Sequence, residues 1–104
     1  MDMQEMMKQA QEMQKKMSET QQELANQTVE ASSGGGMVSA TANGSLELTD
    51  LKIDPSVVDS DDVAMLQDLV LAATNEAIKK AREMVQNEMS KITGGMNIPG
   101  MGLT

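Results

Sequence analysis

The sequence predicts an α+β fold in the order N-terminal helix, three-stranded antiparallel sheet, long C-terminal helix. Three observations carry this reading. A heptad of apolar positions crosses residues 3–25 without Gly or Pro. Short segments of strand-forming residues between Thr28 and Pro55 are punctuated by Gly34-Gly35-Gly36 and Asn43-Gly44. A second stripe at three-four spacing then continues until Gly94-Gly95.

In the first helix Met3, Ala10, Met17 and Leu24 recur every seven residues, with Met6, Met13 and Thr20 between them. Gln, Glu, Lys and Met favour the helix, but a seam made mostly of Met is a weak coiled coil and needs docking against another surface. Thr28-Val29-Glu30-Ala31-Ser32 reads as the first strand. Val38, Ala40 and Ala42 share one face of the second. Asn43-Gly44 predicts a tight hairpin of type I′, whose two central residues need positive φ. Leu46, Leu48, Leu51 and Ile53 continue the apolar positions, with a register change at Thr49-Asp50 that suggests a bulge, and Asp54-Pro55 closes the third strand. The second helix is expected from Asp59 or Ser60, as N-cap, to about Thr93, a length of roughly 45 Å at 1.5 Å per residue. Val63, Leu66, Val70, Ala73, Ala77, Ala81 and Met84 form its main stripe, widened by Met65, Leu69, Ile78, Val85 and Met89. Around Leu69-Val70-Leu71-Ala72-Ala73 it is apolar nearly all round, which predicts cover on two sides, one by the sheet and one by a second protomer.

At 104 residues the chain makes one domain, taken as residues 1–93, with a Gly/Met-rich disordered tail over 94–104. It holds no Phe, Tyr or Trp and twelve Met, so its core comes from small and soft side chains, and a second copy is the economical way to bury more. Without Cys or His it lacks the thiol nucleophile, the thiolate metal site and the commonest general base, and no cofactor, metal or small-molecule substrate is expected. Met1 to Glu5 has no basic run leading into an apolar one, and no stretch reaches membrane-spanning length, so a cytoplasmic protein is expected. The formal charge of −8 argues, taken alone, against a nucleic-acid partner.

Six landmarks nevertheless occur in order: Met7-Lys8-Gln9-Ala10-Gln11-Glu12-Met13-Gln14-Lys15-Lys16-Met17, Ser33-Gly34-Gly35-Gly36-Met37-Val38, Asn43-Gly44, Ile53-Asp54-Pro55, the segment from Leu66 to Ala77, and the Gly-Gly-Met of the tail. Together they resemble the YbaB/EbfC family of bacterial nucleoid-associated proteins across essentially the whole chain. The resemblance implies a tweezer-like homodimer without catalytic activity, whose projecting helices contact double-stranded DNA, alter its conformation and influence gene expression. Strand positions that are often basic in similar sequences are Ser39 and Ser45 here, which shifts the expected contacts to the helices.

Two cationic groups are the candidate DNA contacts. Lys8, Lys15 and Lys16 leave a local balance of +2 between Lys8 and Lys16. Lys79, Lys80 and Arg82, with Lys91 further on, leave +1 between Glu76 and Lys91. The plainer accounts are a solvated helix face with ion pairs such as Glu12–Lys16, and complementarity to the dipole of the second helix. The candidate dimer interface is Leu66, Leu69, Val70, Leu71, Ala73 and Ala77. Met1, Met3, Met6 and Met7 could be read as thioether ligands for Cu(I), but the heptad explains their spacing without metal. Asp59-Ser60-Asp61-Asp62 lacks the length and closing Glu of a Ca²⁺ loop, and Gly34-Gly35-Gly36 lacks the Lys-Ser/Thr of a phosphate loop. The competing reading is a chaperone-like or adaptor clamp that binds protein and not DNA, resembling prefoldin in joining two helices by β structure.

Overall fold

Helix formers from end to end, capped by Asp2, make α1 from Met3 to Ala25; the cap carboxylate accepts the Glu5 amide at 2.8 Å. The structure, a computed structural model, describes residues 2–94. Beyond α1, strands β1 (Thr28–Ser33), β2 (Val38–Asn43) and β3 (Leu48–Ile53) pair antiparallel as a meander with β2 in the centre. The last element, α2, spans Val63–Gly94. Gly94 is thus still helical, and the rest of the expected tail lies outside the described residues.

The turns carry the local corrections. Gly34, Gly35 and Gly36 all adopt positive φ (60°, 69° and 94°) in the turn from β1 to β2. The β2–β3 hairpin does form at Asn43-Gly44, but not as a type I′ turn, because Gly44 is not at positive φ and Leu46 is, at 60°. Asn43 organises a wider loop: its Oδ1 accepts the amides of Ser45 (2.9 Å) and Glu47 (3.1 Å), and its carbonyl accepts that of Leu46 (3.0 Å). Gly44 is required for space. Its N–H donates to the Leu24 carbonyl at 2.9 Å, and a Cβ there would stand 2.2 Å from the same oxygen. The expected bulge is present: Ala42 pairs with Leu48 and Thr41 with Asp50, so Thr49 is the extra residue.

Asp54 accepts the Ser56 amide at 2.9 Å, and hydrogen bonding from Ser56 holds the Asp54 carboxyl below its ordinary value. The cap of α2 falls later than Asp59 or Ser60. Asp62 accepts the Met65 amide at 3.2 Å, while Asp59 closes the preceding turn by accepting Asp61 and Asp62. The acids still sit at the positive end of the helix.

The core lies between α2 and one face of the sheet. Ala73, Ala77 and Ala81, one turn apart, are fully buried against Ala31, Val38, Ala40 and Ala42. Small side chains let helix and sheet approach closely, but they remove little apolar area: the largest fully buried side chains are Leu24 and Val38. Two side-chain bonds tie α2 to β1, Ser33 Oγ donating to the Leu69 carbonyl at 2.6 Å and Lys80 Nζ to the Glu30 carbonyl at 3.2 Å. Leu48, Leu51 and Ile53 pair with Ala42, Ala40 and Val38 and so share the helix-facing side of the sheet. Because α2 packs chiefly across β1 and β2, this whole row on β3 stays exposed.

Of α1, Leu24 is buried and Met13, Met17 and Thr20 are half-buried; the helix lies against α2. The result is long and thin, 70 × 27 × 16 Å.

Candidate nucleic-acid interface

Every cation singled out from the sequence stands on an exposed helix position. Lys8 and Lys15 lie on the side of α1 opposite its heptad seam, and Lys79 and Arg82 on the side of α2 opposite its alanine stripe. Lys80 is drawn toward the sheet edge by its bond to the Glu30 carbonyl. Lys15 and Lys16 line one shallow cleft along α1 with Glu12, Glu19, Thr20 and Glu23.

The sequence places Lys91 only at the far end of the second cationic group, yet the fold brings it beside α1 as well. With Lys16, Thr20, Glu23, Glu88 and Ile92 it lines a cleft between α1 and α2. With Lys80, Asn87 and Ser90 it lines another beside the start of β1. Its Nζ also pairs with Glu88 Oε1 at 3.0 Å. Adjacency to Lys16 across 75 residues of chain leaves no local sequence signal. The Glu12–Lys16 pair expected from its spacing is not among the ion pairs of the described residues, which are Lys91–Glu88 and the loose Lys52–Asp50 at 3.9 Å.

Charge is segregated along the chain. Helices α1 and α2 hold seven of the eight cations and eight acids, a balance of −1. Residues 26–62 hold Lys52 against seven acids, a balance of −6, and Asp2 supplies the remaining charge. The acidity belongs to the sheet, its turns and the α2 cap, and the helices are close to neutral with separate positive ridges.

The candidate interface residues divide. Ala73 and Ala77 are fully buried in the protomer's own core, and Leu66, Leu69 and Val70 are half-buried against it. Leu71 is exposed. Ala73, at the end of the wholly apolar stretch of α2, and Ala77 one turn on are therefore closed off inside the protomer. What sequence reading missed is the β3 row of Leu48, Leu51 and Ile53, which with Leu46, Val58 and Val63 is exposed apolar surface. The sequence marked these β3 residues as apolar positions, and pairing puts them on the helix-facing side, but nothing local shows that α2 stops short of them.

The described residues contain no group of three or more His, Cys, Asp or Glu placed to hold a metal, and no described helix is long and apolar enough to cross a membrane.

Comparison with known proteins adds to this geometry. The model of the YbaB/EbfC DNA-binding family matches residues 1–96. A nucleoid-associated protein of Thermoanaerobacter pseudethanolicus is 56% identical over 96 residues, covering 92% of this chain and 86% of the relative. One from Moorella thermoacetica is 57% identical over 99 residues, covering 95% of each. Among solved structures, an uncharacterized protein from Helicobacter pylori superimposes with a TM-score of 0.78 at 30% identity, covering 89% of this chain and 98% of that one. By the match along nearly its whole length, the chain belongs to the YbaB/EbfC DNA-binding family.

Proposed function

We propose that this protein is a non-enzymatic, nucleoid-associated protein of the cytoplasm. It binds double-stranded DNA as a homodimer, largely independently of sequence, alters the conformation of the DNA and thereby influences gene expression. The match of residues 1–96 to a DNA-binding family carries the reading, and relatives named as nucleoid-associated proteins support it. Charge segregation answers the objection raised by −8. A duplex approaching α1 and α2 meets a balance near zero with Lys8, Lys15, Lys16, Lys79, Lys80, Arg82 and Lys91 all exposed, and the acids of residues 26–62 lie elsewhere in the chain. In a dimer each ridge occurs twice, so two modest clusters act on one duplex.

The dimer is supported by the thin core and the apolar row on β3. Leu48, Leu51, Ile53 and Leu71 are large side chains left in water by one protomer, and a second copy is the partner available to every molecule.

The test is fluorescence anisotropy of a labelled random-sequence duplex across a salt series. Binding should weaken linearly in log–log form, with a slope of about −0.9 per phosphate neutralised. Replacing Lys79 and Arg82 with Ala should weaken binding equally on unrelated sequences and flatten the slope by about 1 per lost contact. An unchanged slope moves the site to the Lys8, Lys15 and Lys16 ridge. Absence of binding at low salt refutes the DNA reading and leaves the protein clamp.

A further inference from the structure

The contact between α1 and α2 is built largely of thioethers, and the proposed DNA contacts leave them unused. On α1, Met13, Met17 and Leu24 share the heptad face turned to α2, the two methionines half-buried and Leu24 buried. On α2, Val85, Met89 and Ile92 share a face and are half-buried too. None of these three is among the described side chains packed against the sheet core, and Ile92 lines a cleft with Thr20 of α1, so this is the face that α1 covers. Three of the six apolar side chains in the contact are therefore methionines, and the chain has no aromatic residue to reinforce it. Half-burial is the decisive property. A fully buried sulfur would be shielded from a dissolved oxidant, and one as open as Met3, at 78% exposure, loses no packing when oxidised.

We infer that Met13, Met17 and Met89 form an oxidation site, at which hydrogen peroxide converts thioether to sulfoxide and releases α1 from α2. A sulfur lone pair takes one oxygen from the peroxide. The O–O bond breaks, an S–O bond forms and water leaves, with sulfur oxidised by two electrons and the peroxide reduced by two. The product side chain is polar, and the side chains of Leu24, Val85 and Ile92 offer its oxygen no hydrogen-bond donor. Water must enter the contact, and the helices separate. The last turn of α1 stays fixed, because Leu24 is buried and its carbonyl accepts the Gly44 amide at 2.9 Å. The rest of α1 then becomes an arm hinged at that turn. Release also parts Lys16 from Lys91, the two cations that the cleft unites. Its consequence, a weaker hold on DNA, rests on the DNA-binding reading; the release itself does not.

Hydrogen exchange of the full chain, without DNA, tests the release. After peroxide treatment, with the sulfoxides located by peptide mass spectrometry, the amides of residues 4–20 should exchange several-fold faster and those of β2 at their former rate. The triple variant Met13→Leu, Met17→Leu, Met89→Leu keeps side-chain volume and helix propensity but has no thioether in the contact. The same treatment should leave its α1 exchange unchanged, although its other methionines are oxidised. Sulfoxide at all three positions with wild-type exchange unaltered, or equal acceleration in the variant, overturns the inference. So does resistance of the three sulfurs to a dose that fully converts Met3. Anisotropy with the labelled duplex then reads the consequence. Oxidised wild type should bind several-fold more weakly than the variant treated alike, and equal affinities overturn that part. A chain that binds no DNA in either state refutes the DNA reading and leaves the exchange result standing.

Discussion

Gly44 is the residue on which three elements meet. Its N–H holds the last turn of α1 through the Leu24 carbonyl, and its missing side chain lets the hairpin come that close. Gly44→Ala must push the loop off Leu24, the side chain of α1 buried deepest, and lose the hydrogen bond. We expect a loss of about 2–3 kcal/mol, the range of overpacking with a buried bond broken. Gly35 provides the contrast, since a Cβ there meets nothing within 4 Å. Gly35→Ala should cost only the left-handed strain, about 1–2 kcal/mol. Urea denaturation of the two variants checks the order, which reverses if Gly44 serves the backbone conformation and not the space. The motif Asn43-Gly44 was legible in the sequence. Its reason was not, because the atom that forbids a side chain belongs to a helix twenty residues earlier.

At the scale of elements, β3 is the strand whose job is least finished within one protomer. Its bulge at Thr49 keeps Leu48 and Leu51 on the same side in spite of their odd spacing, and both remain open. Its opposite face is polar, where Asp50 and Lys52 sit across from Thr41 and Ser39. If the row meets a second copy, Leu51→Asp places a carboxylate in that contact while disturbing little of the protomer, since Leu51 is 43% exposed already. Light scattering at low micromolar concentration should then give the mass of a monomer for the variant and of a dimer for the wild type. A variant that stays dimeric excludes this row. The helices tell the complementary story. Periodicity alone gave both of them and the alanine stripe of α2, because 3.6-residue spacing is local. Which strands the stripe would cover is a matter of packing, and five of the six residues expected at the interface turned out to serve the protomer's own core or its margin.

The whole molecule has a core built largely of alanine, seven buried residues from sheet and α2 with Val38 the largest among them. Each buried methylene contributes roughly 0.8 kcal/mol, so such a core is worth far less than one of Leu and Phe. Stability should therefore be linked to association. The midpoint of thermal unfolding should rise with protein concentration over 1–100 µM, in the manner of a dimer that unfolds with dissociation. A midpoint independent of concentration would mean that the protomer is sufficient alone. The same thinness leaves charge as the feature that distinguishes surfaces. Near-neutral helices and a strongly acidic middle were both countable from the sequence, but the union of Lys16 and Lys91 in one cleft was not.

What the sequence by itself determined is what depends on near neighbours in the chain. This covers the order of elements, their type, the hairpin, the bulge at Thr49 and the absence of thiol and imidazole chemistry. Spacing, propensity and turn residues act within a few positions, so one strand of text contains them. The tertiary structure alone decided which apolar residues are used up inside the protomer and which are left over. Leu48 and Ala40 both read as apolar strand positions. One is exposed and the other buried only because α2, a separate element further along the chain, lies over β1 and β2 and leaves β3 open.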